Sequence, residues 1–138
     1  MIGEGMNRYD HMVNRTYYIH ERYHVDATFA LLYHGKPLEV DDLGSFLRLS
    51  DHVIEVDEHH YFIIFAFTPE ANACKASQNL LRKLDHHFGE PCSSIALDRF
   101  DPNLTPHNVL SRLKQILCVT HKHSYSRIET ESALDGRL

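Results

Sequence analysis

The sequence of 138 residues has only three cysteines, Cys74, Cys92 and Cys118, set singly and odd in number. A disulfide framework is therefore excluded, and the thiols read as the reduced cysteines of a cytosolic protein. No apolar run is long enough to span a bilayer, and Met1 to Met12 has no signal-peptide pattern, so a membrane is not expected as a partner. Positive charge is in deficit: 14 Lys and Arg stand against 19 Asp and Glu, a formal charge of −5. That balance argues against nucleic acid. No internal repeat or low-complexity linker interrupts the chain. With 43% hydrophobic and 24% charged residues, residues 1–138 read as a single soluble domain able to bury a core. Residues 1–6 are expected to be a loose lead-in. From about residue 124 to 138 the chain is expected to be flexible or to form a short added element.

One residue type is in excess: histidine, with twelve copies. No pair of them stands with a Cys or carboxylate at the spacing of a zinc site, so no metal cofactor is expected.

The stretch from Arg48 to Thr68 organises the rest. Val53-Ile54-Glu55-Val56 and Tyr61 to Phe67 are β-rich runs on either side of the polar tip Asp57-Glu58-His59-His60, the pattern of a hairpin. The second run is apolar at almost every position, as in a strand buried on both faces. Upstream, Tyr9, Met12, Val13, Thr16, Tyr17, His20 and Tyr23 recur at three- and four-residue steps, predicting an amphipathic helix over Asn7–His24. Ala27–Tyr33 reads as a buried strand stopped by His34-Gly35-Lys36-Pro37. Val40–Leu49 reads as a second helix, with Asp41 and Asp42 at its N-terminus and Gly44 weakening it.

Downstream of the hairpin, Thr68-Pro69-Glu70 has the form of a helix start, with Thr68 as cap and Pro69 as first helical residue. Ala73, Ser77, Leu80, Leu81, Leu84 and Phe88 form that helix's inner face, and Gly89 ends it. Cys92–Phe100 alternates as a strand. Thr105-Pro106 opens a last helix with Val109, Leu110, Leu113, Ile116 and Leu117 on one side. The order is α+β: a ferredoxin-like β-α-β-β-α-β core with an N-terminal and a C-terminal helix, its crossover helices on one face of the sheet.

On these residues the chain resembles a GGDEF domain, the nucleotide-cyclase fold of diguanylate cyclases, in degenerate form. Asn7-Arg8 resembles the opening of the family's first helix, and Phe29 to Leu32 its first strand. Leu47-Arg48-Leu49-Ser50-Asp51 resembles the Leu-Arg-x-x-Asp before its hairpin. In register after it, Asp57-Glu58-His59-His60-Tyr61 stands where the signature Gly-Gly-Asp/Glu-Glu-Phe would be. Phe62 to Phe65, Thr68, Glu70-Ala71, Ser94-Ile95-Ala96 and the final helix to Lys122 follow the same spacing.

The resemblance implies a signalling domain, and its departures imply loss of catalysis. Asp57 and Glu58 replace glycines that let the backbone approach a nucleotide. His59 replaces a Mg²⁺-binding acid, and a hard cation of that kind takes carboxylate oxygens. Tyr33-His34-Gly35 stands where the second metal acid would lie, and the guanine-binding segment is shortened to Lys36–Asp42. Phosphoryl transfer depends on positioning and charge neutralisation, so no enzyme activity is expected. A non-catalytic regulator working through a signalling partner or a homodimer is implied. The alternative is a cyclic di-GMP receptor through Arg48 and Asp51, whose fork and carboxylate suit guanine or phosphate. The same pair also reads as a surface ion pair. A residual nucleotide- or metal-binding protein is the further alternative, with His59, His60, Asp57, Glu58 and His34 as candidate ligands; the plainer reading is a solvated turn.

His86-His87 and His121-Lys122-His123 sit at helix C-termini, where the dipole favours them. His20 reads as a hydrogen-bonded core histidine. The cysteines show no His or Asp partner, so none reads as a nucleophile. Tyr9, Tyr17, Tyr18 and Tyr23 offer either core packing or an aromatic partner surface.

Overall fold

The computed structural model describes residues 3–101, 103–122 and 127–131, with the side chains of 3–8, 20 and 120–122 excepted. A five-stranded sheet is ordered β2-β3-β1-β4-β5. At its centre, β1 (Ala27–His34) runs antiparallel to both β3 (His60–Ala66) and β4 (Ser93–Arg99). Leu31 lies opposite Phe62 on one side and Ala96 on the other. β2 (His52–Asp57) pairs with β3 across the expected tip, and a bulge between Glu55 and Asp57 takes up one extra residue there.

Two cores lie on the two faces, and alternation along the strands sorts side chains between them. Phe29, Leu31, Phe62 and Ile64 face α1 (Gly3–Tyr23) and α4 (Pro106–Lys122). Ala30, Leu32, Tyr61, Ile63 and Phe65 face α2 (Val40–Ser45) and α3 (Glu70–Phe88). The crossover helices of the β-α-β-β-α-β core thus share one face, as expected, and the terminal helices cover the other. For that reason β4 is not the alternating strand the sequence suggests: every residue from Ser93 to Asp98 is buried. Aromatic contacts knit the first core, with Phe62 edge-on to Tyr9 at 4.6 Å and stacked near Phe29 at 5.7 Å.

Several boundaries move for local reasons. α1 begins at Gly3, covering part of the segment read as a lead-in; extending a helix already nucleated needs little propensity. α2 stops at Ser45, short of Leu49, because Ser45 Oγ turns back onto the Asp42 carbonyl and Phe46 and Leu47 pack sideways into the α3 core. Arg48 consequently lies in a turn. Thr68 is not the cap of α3; Pro69 holds that position with no side-chain bond. Thr68 Oγ1 donates instead to the Ala66 carbonyl at 2.7 Å. Gly89 closes α3 in the left-handed region at φ 76°. Thr105 Oγ1 accepts the Asn108 N–H at 3.2 Å as a true cap for α4.

In the tail, β5 (Ile128–Glu129) pairs parallel with β4, a short added element; residues 123–126 and 132–138 of the expected flexible tail lie outside the described residues. No described helix is long and apolar enough to cross a membrane.

Phe62 has no exposed surface and joins helix to sheet, so Phe62→Ala should lower the unfolding free energy by about 3–5 kcal/mol. Urea unfolding followed by circular dichroism checks this. A loss under about 1 kcal/mol would mean that the first core is not packed as described.

Candidate functional site

Arg48 and Asp51, singled out by their resemblance to the family's Arg-x-x-Asp, meet in the turn between α2 and β2. The Asp51 carboxylate is almost wholly buried, with 1% of its side chain exposed against 51% for Arg48. It accepts the Arg48 backbone N–H at 3.0 Å, Nε at 3.1 Å and Nη2 at 2.8 Å. Arg48 Nη2 also donates to Thr68 Oγ1 at 2.8 Å. This three-residue lock ties the start of β2 to the end of β3. The third member, Thr68, was not visible from sequence, because its cap-like setting suggested another use.

Beside the lock, a cavity of about 230 Å³ opens between α1 and the sheet, lined by Met12, Ile19, Leu49, Ile64 and Phe67 among others. Leu49 is fully exposed, and Phe67 is 63% exposed with its backbone at φ 56°. A non-glycine residue in that region is uncommon, and here it turns an aromatic ring to solvent.

At the hairpin tip the polar groups bind one another. Asp57 Oδ1 accepts the His59 N–H at 2.9 Å and pairs with His60 Nδ1 at 2.8 Å. Burial alone would raise the Asp57 carboxyl, but the hydrogen bonds from His59 and His60 and the charge of His60 hold it below the usual range. His59 Nδ1 lies 2.9 Å from the His34 carbonyl oxygen. Glu58 projects into solvent, 88% of its side chain exposed. Tyr61, the last residue of the signature stretch, is a core side chain whose hydroxyl donates to the Leu38 carbonyl.

His34 is at the tip only through its backbone. Its side chain, wholly buried, turns inward, with Nδ1 2.7 Å from Ser93 Oγ and the ring 4.5 Å from that of Phe88. Burial first, then the nearby Lys36 and His59 charges, push its imidazole below the ordinary range. The candidate metal set is therefore not assembled: among the described residues no three His, Cys, Asp or Glu side chains converge on one point. Cys92 does have a histidine partner, contrary to the sequence reading. Its sulfur lies 3.8 Å from His34 Nε2 and 4.0 Å from Nδ1. Nearly equal distances leave the sulfur out of line with either nitrogen, a poor geometry for proton transfer.

The tyrosines of α1 divide. Tyr9 and Tyr17 anchor the helix, donating to the Pro106 and Leu104 carbonyls, while Tyr18 and Tyr23 are exposed. His86 and His87 occupy the last turn of α3 as expected. The side chains of His20, His121 and Lys122, and all of His123, lie outside the described residues.

Neither a family model nor a curated protein matches this sequence. Solved structures do. The GGDEF domain of DgcB from Caulobacter crescentus, crystallised with c-di-GMP, superposes with a TM-score of 0.72 at 11% identity, over 90% of this chain and 88% of that one. The GGDEF domain of YfiN (TpbB) from Pseudomonas aeruginosa gives 0.73 at 11%, over 95% and 91%. Diguanylate cyclase SiaD from the same organism, solved with its activator SiaC, gives 0.72 at 12%, over 89% of this chain and 56% of SiaD. The chain therefore has the GGDEF-domain fold.

Because the folded state holds His34 below its ordinary value of 6.5, its contribution to stability is present above that pH and lost as the pH falls below it. The unfolding free energy of the wild type minus that of His34→Asn should be level above pH 6.5 and shrink on acidification, by at most about 1.4 kcal/mol per unit. Urea unfolding from pH 5 to 8 tests it, and a difference independent of pH would refute it.

Proposed function

We propose that this chain is a non-catalytic GGDEF-like domain that regulates a cytoplasmic signalling process through protein contacts, with a partner protein or a second copy of itself. The observation carrying this reading is the hairpin tip. Asp57, His59 and His60 satisfy one another there, and His59 reaches the His34 carbonyl. A triphosphate bound through Mg²⁺ needs open backbone and free carboxylate oxygens at such a tip. Here the acids are either hydrogen-bonded within the turn or pointed at water, and the end of β1 supplies a buried imidazole. SiaD's complex with an activator protein supports protein contact as a mode of action for this scaffold. Exposed Tyr18, Tyr23, Leu49 and Phe67 supply apolar surface suited to such contact.

A second reading, a cyclic di-GMP receptor, is favoured by the Arg48–Asp51 lock, which presents a half-exposed guanidinium at a fixed angle. The DgcB domain was crystallised with that dinucleotide. Binding here would have to use the outer edge of the guanidinium, since Nε and Nη2 are already engaged with Asp51 and Thr68.

Incubation with GTP and Mg²⁺ should yield no cyclic di-GMP by chromatography; product above a no-protein control would overturn the non-catalytic assignment. Calorimetric titration with cyclic di-GMP decides the second reading. If it holds, wild type releases heat and Arg48→Ala weakens binding by roughly tenfold or more, the scale of a charge-assisted hydrogen bond. No heat with wild type removes the receptor reading.

A further inference from the structure

The segment after α4 is fastened to the sheet by two kinds of contact, and one of them is unusual. Arg127 is held firmly: Nη1 and Nη2 each donate to the Asp85 carboxylate at 2.8 Å, and Nε to the Ser93 carbonyl at 2.9 Å. Its own carbonyl accepts the Ile95 N–H at 2.8 Å. Ile128 packs against the α3 core, and Ile128 and Glu129 lie alongside Ile95 and Ala96 of β4. These residues cover the outer edge of β4, whose backbone groups would otherwise form an open strand edge.

The far end of the segment closes on an acid. Glu131 comes to rest against Glu70, the first residue of α3. Each carboxyl group has a buried oxygen, Oε2, that meets no donor among the described residues. The surroundings do not compensate. From β4, Arg99 Nε stands 3.8 Å from Glu131 Oε1 on a side chain 76% exposed. Asp98 of the same strand is buried and holds Arg112 of α4 at 2.7 Å, so that cation is already engaged. Asp101 adds a further negative charge beyond β4, and Cys74 lies one turn along α3. Asp26 is exposed across the adjoining cleft, which also borders Glu70 and Arg99. Two carboxylates in such contact cannot both be ionised; the arrangement holds when one carries a proton and donates it to the other.

We propose that the Glu70–Glu131 carboxyl pair is a proton-operated clasp: one shared proton holds residues 128–131 across the sheet edge, and its loss frees them from β4 while Arg127 stays in place. Each acid keeps one buried oxygen with no donor among the described residues, and a proton between them supplies one. Burial first, then the hydrogen bond to and charge of Glu131, push the Glu70 carboxyl up to about 8. The docked state therefore binds more protons than the released one. Docking is fully favoured below the ordinary carboxylate range and is lost as the pH rises through about 8. The bistable element is a two-residue strand, small enough for one proton to decide its position. Arg127 acts as the hinge, since its bonds to Asp85 and Ser93 involve neither acid.

Amide hydrogen exchange by NMR, corrected for intrinsic rates, reads the clasp at the Leu97 N–H, which the parallel pairing of Ala96 with Glu129 turns toward the Glu129 carbonyl. Its protection should fall by about a hundredfold between pH 6 and 9, tenfold per unit up to about 8 and level beyond it, while Ala30 at the centre of β1 stays unchanged. Glu70→Gln supplies the same donor without titrating and should give a flat profile. Should that variant fold poorly, Glu131→Gln makes the same test from the other side. A flat wild-type profile, or a fall that persists in the Gln variant, would overturn the clasp.

Discussion

Burial of β3 on both faces is the constraint from which the rest of this structure follows. Tyr61 to Phe65 have no more than 2% of their surface exposed. Such a run needs helices on two sides and a paired strand on each edge, which no short hairpin can provide alone. β1 fills one edge, β2 the other, and α1 with α4 and α2 with α3 close the faces. A one-residue slip in the β2–β3 register would exchange Phe62 for Ile63 between two differently shaped cores, so the tip cannot wander. The position of Asp57, His59 and His60 is thus set by packing well away from them.

That origin explains which parts were legible in the sequence. Apolar runs and helical periodicity are dense signals, and the order of elements, the tip, the inner face of α3 and Gly89 were all readable from them. Side-chain hydrogen bonds over long separations leave no such trace. Thr68 beside Pro69-Glu70 looks like a cap, yet Arg48, twenty residues earlier, claims its hydroxyl. His34 looks like a loop residue at the end of a strand, yet the depth of the α3 core draws its ring inward against Phe88 and Ser93. The alternation read in Ser94 to Leu97 vanished once a second helical layer covered the other face. Periodicity reports one buried face; a second layer is a property of the whole fold.

The candidate site shows the same division. The resemblance to the family's Arg-x-x-Asp put Arg48 with Asp51, and the turn does bring them into contact, but it could not reveal how fully Asp51 is buried. A binding site depends on polar groups being kept available, which is why such groups are held in place by others. Along the tip the polar groups are instead consumed by one another, which stabilises the turn and leaves little for a ligand. The outer edge of Arg48 and the apolar rim of Leu49 and Phe67 remain open, and both lie at the same end of the molecule. The strained backbone at Phe67 fits that distribution, because an unfavourable φ that exposes an aromatic ring gains nothing for the fold by itself.

The acidic excess of the chain has a local counterpart. Asp98 and Asp85 are each matched by an arginine from a later element, Arg112 and Arg127. Both pairings reach from the sheet or α3 to the C-terminal third, so the order of the chain lets late cations neutralise early acids. Glu70 is the exception: the residue that arrives opposite it is Glu131, and the nearest cation, Arg99, keeps most of its side chain in water. An unmatched acid in an otherwise matched series is a weak point for stability at high pH, since ionising both partners would put two like charges in one buried contact. In the clasp proposed for this pair a proton, rather than a side chain, supplies the missing donor, which would tie the end of the fold to solution pH on the alkaline side as buried His34 does on the acid side.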